Sequence, residues 1–193
     1  MGSTTPPETR RPARSTRISV VVVFSALIAV ATFLSIKLPP PLGEITWAPP
    51  IYLALAVMVD PYTAFVAIAL GSALGEGMNV VVGTFGFLPI YIPGMVWARA
   101  PEAFIVSWAK RKGQRLIVLA MVAATVYETL AFFFPDWLFY TYGLFSYGSP
   151  VDAIAGFWTA FPDFGTLVDL VYIPVALGLV KAAGPQFKRL GFA

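Results

Sequence analysis

The sequence contains no cysteine and no histidine. The first absence excludes disulfides, thiol nucleophiles and thiolate metal sites. The second removes the usual general base and the commonest transition-metal ligand. No GxxxxGK[ST] stretch is present, so the chain has no phosphate-binding loop of its own, and any ATP that drives it is hydrolysed by a partner. Charge is scarce as well: 12% of residues are Asp, Glu, Lys or Arg, where a soluble domain carries about a quarter. What is present is apolar: 58% of the 193 residues are hydrophobic and the mean hydropathy is +0.78. This is the composition of an all-α integral membrane protein with no room for a separate soluble domain.

The apolar runs and their breaks predict six transmembrane helices. Residues 1–17, with Arg10, Arg11, Arg14 and Arg17, read as a disordered basic cytoplasmic tail. The apolar run behind them is long enough to span, and no small-residue cleavage site follows it, which argues against a removed signal peptide. The spans fall at roughly 18–36, 45–60, 62–82, 94–109, 115–134 and 164–183, the second and fourth being short or interrupted. Pro39-Pro40-Pro41, Asp60-Pro61, a Gly/Pro-rich connection over 83–93, Lys110-Arg111-Lys112-Gly113 and Pro135-Asp136 separate them. Residues 135–163 form a long aromatic connection that could act as a lid. The membrane domain covers 18–185, and 186–193 form a second basic cytoplasmic tail.

Charge orients the bundle. With both termini inside, the cytoplasmic segments hold Arg10, Arg11, Arg14, Arg17, Lys110, Arg111, Lys112, Arg115, Lys181, Lys188 and Arg189, which is 11 of the 13 basic residues. The bias predicts N-in, C-in topology in a cell membrane. The +3 net charge therefore marks helix ends and gives no sign of a nucleic-acid surface.

Five ionisable residues then fall inside apolar helices: Glu76, Arg99, Glu102, Glu128 and Asp169. Glu76, Arg99 and Glu128 each lie about six residues, roughly 9 Å, from the exterior end of their span. Charge in hydrocarbon is costly and is usually retained for function, so a cluster at one depth reads as a cavity for a polar solute. Ser72, Glu76 and Asn79 share a helical face; they either line that cavity or glue helices together, with Glu76 paired to Arg99. Arg99 and Glu102 pair with each other, or Arg99 reaches across to Glu76 or Glu128, or it meets an anionic ligand group. Glu128, beside Tyr127, reads as the freest acid, suited to a cationic group. Asp169 reads as an exposed first-turn acid favoured by the helix dipole. Trp47, Tyr52, Trp137, Tyr140, Tyr142, Tyr147, Phe157 and Trp158 read mostly as an interfacial belt, with one or two stacking on a ligand ring. Ser25-x-x-x-Ala29 makes a flat stripe for another helix, inside the chain or outside it.

Several segments together resemble the substrate-binding S component of an energy-coupling factor (ECF) transporter. They are the small-residue first helix 24–35, the stretch 43–56 followed by Asp60-Pro61, the polar stretch Gly71-Ser72-Ala73-Leu74-Gly75-Glu76-Gly77-Met78-Asn79, and Gly94-Met95-Val96-Trp97-Ala98-Arg99-Ala100-Pro101-Glu102. The resemblance covers roughly 18–185. It implies a multi-pass subunit that captures a vitamin or related small organic solute from outside and works with a transmembrane T component and two ATP-binding subunits. It also implies docking to the T component through the first helix at Ser25 and Ala29. The expected solute contacts are Glu76, Asn79, Arg99, Glu102, Glu128, Tyr127 and Trp47. No cofactor, metal or catalytic residue is expected. The family's metal-transporting members rely on an N-terminal histidine that this chain lacks, so nickel or cobalt is not the expected solute. A standalone proton- or cation-coupled carrier is the alternative. A membrane enzyme working through Glu102 and Glu128 is a weaker one, because no nucleophile has an evident base.

Overall fold

The computed structural model describes residues 12–37, 44–83 and 88–192. The tail 1–11, the Pro39-Pro40-Pro41 break and residues 84–87 lie outside the described residues. The regular structure of the described chain is helical apart from a short antiparallel bridge in which Ile36 faces Ile45. The elements are α1 (Arg14–Phe33), β1 (Ile36–Lys37), β2 (Glu44–Ile45), α2 (Pro49–Met58), α3 (Pro61–Val81), α4 (Tyr91–Arg99), α5 (Glu102–Ala109), α6 (Gln114–Tyr142) and α7 (Ala153–Ala160). A 3₁₀ segment (Phe161–Tyr172) and α8 (Ile173–Arg189) complete the chain.

Four stretches are long and apolar enough to cross a membrane: Arg14–Phe33, Pro61–Val81, Gln114–Tyr142 and Ala153–Arg189. The second predicted span is only ten residues of helix, roughly 15 Å. The fourth is divided by Ala100-Pro101 into α4 and α5, which leaves Arg99 at the end of one piece and Glu102 at the start of the next.

Local chemistry explains the boundaries. Pro49-Pro50 opens α2, where a missing N–H costs nothing. Asp60 caps α3 with both oxygens, accepting from the Thr63 amide at 3.1 Å and the Thr63 hydroxyl at 2.7 Å. Asp152 caps α7, accepting at 2.9 Å from the amides of Ile154 and Ala155.

Helix α6 corrects the expectation that the fifth span stops before Pro135: it runs on to Tyr142. A proline leaves the carbonyl four residues earlier without its helical donor. That carbonyl belongs to Ala131, and the Trp97 indole donates to it at 3.0 Å. The presumed lid 135–163 is likewise mostly helix, with 143–152 as the connection. Helix α8 continues through Pro185 to Arg189 instead of ending at Gly184.

Close packing joins α1 to α3. A Cβ at Gly71 would lie 2.7 Å from Ile28 Cβ and 2.8 Å from the Ser25 carbonyl. One at Gly75 would lie 2.6 Å from Thr32 Cβ and 2.7 Å from the Ala29 carbonyl. The Ser25 hydroxyl also donates to the Ala67 carbonyl at 3.1 Å. Ser25 and Ala29 are therefore buried inside the chain, and the expectation that they offer a docking stripe to a partner gives way to internal packing.

Leu53, Leu55 and Val59 continue the core against Ile68, Val106 and Met121. The outside is apolar too: Val22, Leu27, Leu74, Leu119 and Val175 are exposed, as a lipid-facing surface requires. At one end of the bundle Arg17 approaches Asp60 at 4.0 Å, and the Lys110 ammonium donates to the Val59 carbonyl at 3.1 Å. These contacts bring together the start of α1, the α2–α3 turn and the end of α5.

The glycine contacts set a stability test. Gly75→Ala should lower the unfolding free energy of the detergent-solubilised protein by about 1–3 kcal/mol, the usual cost of overpacking. Gly77→Ala, whose Cβ would meet its nearest atom at 4.0 Å, should be neutral or stabilising. Equal thermal unfolding of the two variants would refute the packing account.

Candidate functional site

A buried polar cluster lies where α1 to α6 and the 3₁₀ segment converge. Its centre is an ion pair in which Arg99 Nε donates to Glu128 Oε1 at 2.8 Å, with both side chains almost fully buried. The Tyr52 hydroxyl donates to the other Glu128 oxygen at 2.9 Å. Glu128 is therefore engaged through both oxygens rather than the freest of the acids. Arg99 also reaches the Thr32 hydroxyl at 3.5 Å. Thr32 abuts Gly75, one residue before Glu76. Asn79 donates to Glu76 at 3.2 Å, one helical turn away, and both side chains are fully buried.

Glu102 differs from its neighbours. It is 1% exposed, and neither carboxyl oxygen receives a hydrogen bond from a described donor. The Glu128 carboxyl is within side-chain contact, and Arg99 and Asp169 act on Glu102 electrostatically. Two carboxyls hydrogen-bond only by sharing a proton. Asp169 corrects the expectation of an exposed first-turn acid: it is 4% exposed and sits deep in the 3₁₀ segment, its charge felt by Glu102 and Tyr52. The cluster thus gathers four acids around Arg99, the one buried cation among the described residues.

The remaining expected contacts lie at the margin. Tyr127 is half-buried, and its hydroxyl donates to the Trp97 carbonyl at 2.8 Å. Trp47 is 49% exposed and packs edge-on against Tyr172, outside the cluster.

Two participants escaped the sequence reading. Tyr52 was grouped with the interfacial aromatics, yet it is buried against Glu128. Its position just inside the Pro49-Pro50 helix start is the only sequence signal. Thr32 is a single hydroxyl in an apolar run and has none.

A second polar group lies toward the α7 end of α6. The Tyr147 hydroxyl donates to Asp136 at 2.8 Å, and the Tyr147 ring lies 4.7 Å from that of Tyr140 and 6.0 Å from that of Tyr91. Burial, followed by the Asp136 carboxylate, pushes the Tyr147 phenol up, which keeps it a donor. The Asp136 and Asp163 carboxyls act on one another electrostatically.

Among the described residues no group of three or more metal-ligating side chains converges on one point. Comparisons of the chain with family models, with curated proteins and with solved structures returned no match.

The central pair makes a specific energetic prediction. Arg99→Met leaves Glu128 buried without its cation and should cost about 3–5 kcal/mol of stability. Adding Glu128→Leu should recover most of that loss, because a matched apolar pair replaces a broken ionic one. A double variant no more stable than Arg99→Met would refute the pairing as the cause.

Proposed function

We propose that this chain is the solute-binding membrane subunit of an ECF-type importer, an S component that captures a small organic solute from outside the cell. The observation that carries the reading is Glu102: a buried carboxyl without a hydrogen-bond donor, beside two further acids and one cation already engaged by Glu128. Such a group is costly in a bundle interior unless a ligand meets it. The segments that resemble the family supply several of the residues that line this cluster. Without a phosphate-binding loop the chain fits a subunit whose energy comes from partner ATPases.

In this reading the bundle crosses the membrane six times, with α2 and the broken α4–α5 pair as the short crossings and both termini in the cytoplasm. The gathering of Arg17, Asp60 and Lys110 at one end supports that orientation. A transmembrane T component would meet the outward side of α1, where Val22, Leu27 and Val30 are exposed, since Ser25 and Ala29 are covered by α3. The contact between Glu102 and Glu128 also favours a second reading, a proton- or cation-coupled carrier that works without ATPases.

The test is mass spectrometry of small molecules released when the purified protein is denatured. We expect a stoichiometric organic solute from the wild-type protein and at least a tenfold loss of occupancy in Glu102→Gln. Uptake into vesicles driven by a pH gradient, without ATPase subunits, would transfer the chain to the carrier class. A reporter fused to the C-terminus and found outside the cell would reverse the topology.

A further inference from the structure

The 3₁₀ segment is 12 residues long, where such helices seldom exceed three or four residues. Its geometry has a consequence that an α-helix would not have. With three residues per turn, side chains at i and i+3 stand one above another. That rule places Asp163, Thr166 and Asp169 on a single line, with steps of roughly 6 Å. The flanking lines, Phe164-Leu167-Leu170 and Gly165-Val168-Val171, are apolar apart from the glycine.

The first two rungs of the polar line meet α6 and the third meets Glu102 at the start of α5. Asp163 acts on Asp136 in the outer acid and tyrosine group. The Thr166 and Thr129 hydroxyls lie 2.7 Å apart. Asp169 acts on Glu102 in the buried cluster. The middle rung can rearrange. Thr129 can donate to the Thr125 carbonyl at 2.9 Å and Thr166 to the Asp163 carbonyl at 2.8 Å, yet the contact between the two hydroxyls requires one of them to donate there as well. Two hydroxyl hydrogens serve three contacts, so one carbonyl is released whenever the hydroxyls bond to each other. That leaves an acceptor available to a passing donor.

We propose that this ladder is a cation-selective access route, leading a protonated amine or similar organic cation past Asp163 and Asp136, over the Thr129–Thr166 rung, to Glu102. The direction, inward from the outer surface, rests on the topology proposed above. Both ends are acidic, and the rung between them carries no positive charge. The inner end is the buried carboxyl without a donor, the group that a cationic donor would satisfy. The Phe133 and Phe164 rings, with centroids 5.0 Å apart, come from residues next to the ladder in sequence, Phe164 following Asp163 and Phe133 lying one turn from Thr129.

The absence of cysteine makes the route directly testable, because a single introduced thiol is unique. Thr166→Cys in the full-length protein, in sealed right-side-out vesicles, is exposed to a membrane-impermeant trimethylammonium methanethiosulfonate or to its sulfonate counterpart. The expected result is modification by the cationic reagent at least about tenfold faster than by the anionic one. Adding Asp163→Asn should reduce that preference several-fold. Val168→Cys, on an apolar line, should stay unmodified. Thermal unfolding matched to wild type shows that each variant is folded. A thiol at 166 inert to both reagents, or equally reactive with both, overturns the route, as does modification at 168 as fast as at 166. If solute is still retained while the thiol at 166 is inert, the route falls and the solute-binding function stands.

Discussion

The interior is organised around the ion pair of Arg99 with Glu128. Five charged side chains share a space that lipid and apolar helices surround, and only one of them is positive. Because Arg99 holds Glu128 and reaches Thr32, the single cation ties α4 to α6 and to α1. Tyr52 brings in α2 by donating to the same carboxylate. With Glu128 engaged on both oxygens, Glu102 is left beside it with neither oxygen receiving a hydrogen bond from a described donor. The pair thus does two things: it lets the helices converge without an uncompensated charge at the centre, and it leaves one acid without a donor. An arginine suits the position better than a lysine, because its several fixed donors reach two partners from one planar group.

Much of this was legible in the sequence. Membrane character followed from composition, and helix ends were marked by Asp60-Pro61 and by Lys110 to Gly113, each for a local chemical reason. Glu76, Asn79, Arg99, Glu102 and Glu128 could be nominated because charge within an apolar run is conspicuous, and the structure brings Arg99, Glu102 and Glu128 into one cluster, with the bonded Glu76 and Asn79 beside it. What stayed hidden was who partners whom. Glu128 looked free and Asp169 exposed, because spacing along one helix says nothing about what the next helix presents. Tyr52 and Thr32 were overlooked for the same reason.

The boundary errors share a different cause. Pro135 reads as a stop because the cost of its missing donor is local, whereas the remedy, an indole from Trp97, comes from 34 residues before the Ala131 carbonyl it satisfies. Residues 161–172 were read partly as loop and partly as the start of the last span. Their true period of three interleaves Phe, Pro and Asp, and only in the 3₁₀ geometry do the polar residues fall into line. Ser25 and Ala29 illustrate the converse: a small-residue stripe predicts that some helix approaches closely, but the glycines that receive it, Gly71 and Gly75, lie on another segment of the same chain.

That close approach has a mechanical side. Gly71 and Gly75 bring the α3 backbone against the Ser25 and Ala29 carbonyls and the Ile28 and Thr32 side chains, so α1 and α3 form one close-packed beam. Thr32 and the Glu76–Asn79 pair are fixed to that beam, while Arg99, Glu102 and Glu128 belong to its neighbours. The Arg99–Thr32 contact links the two groups. The outer surface of α1 is thus joined to the Arg99–Glu128 pair through one side chain, Thr32, with no intervening residue.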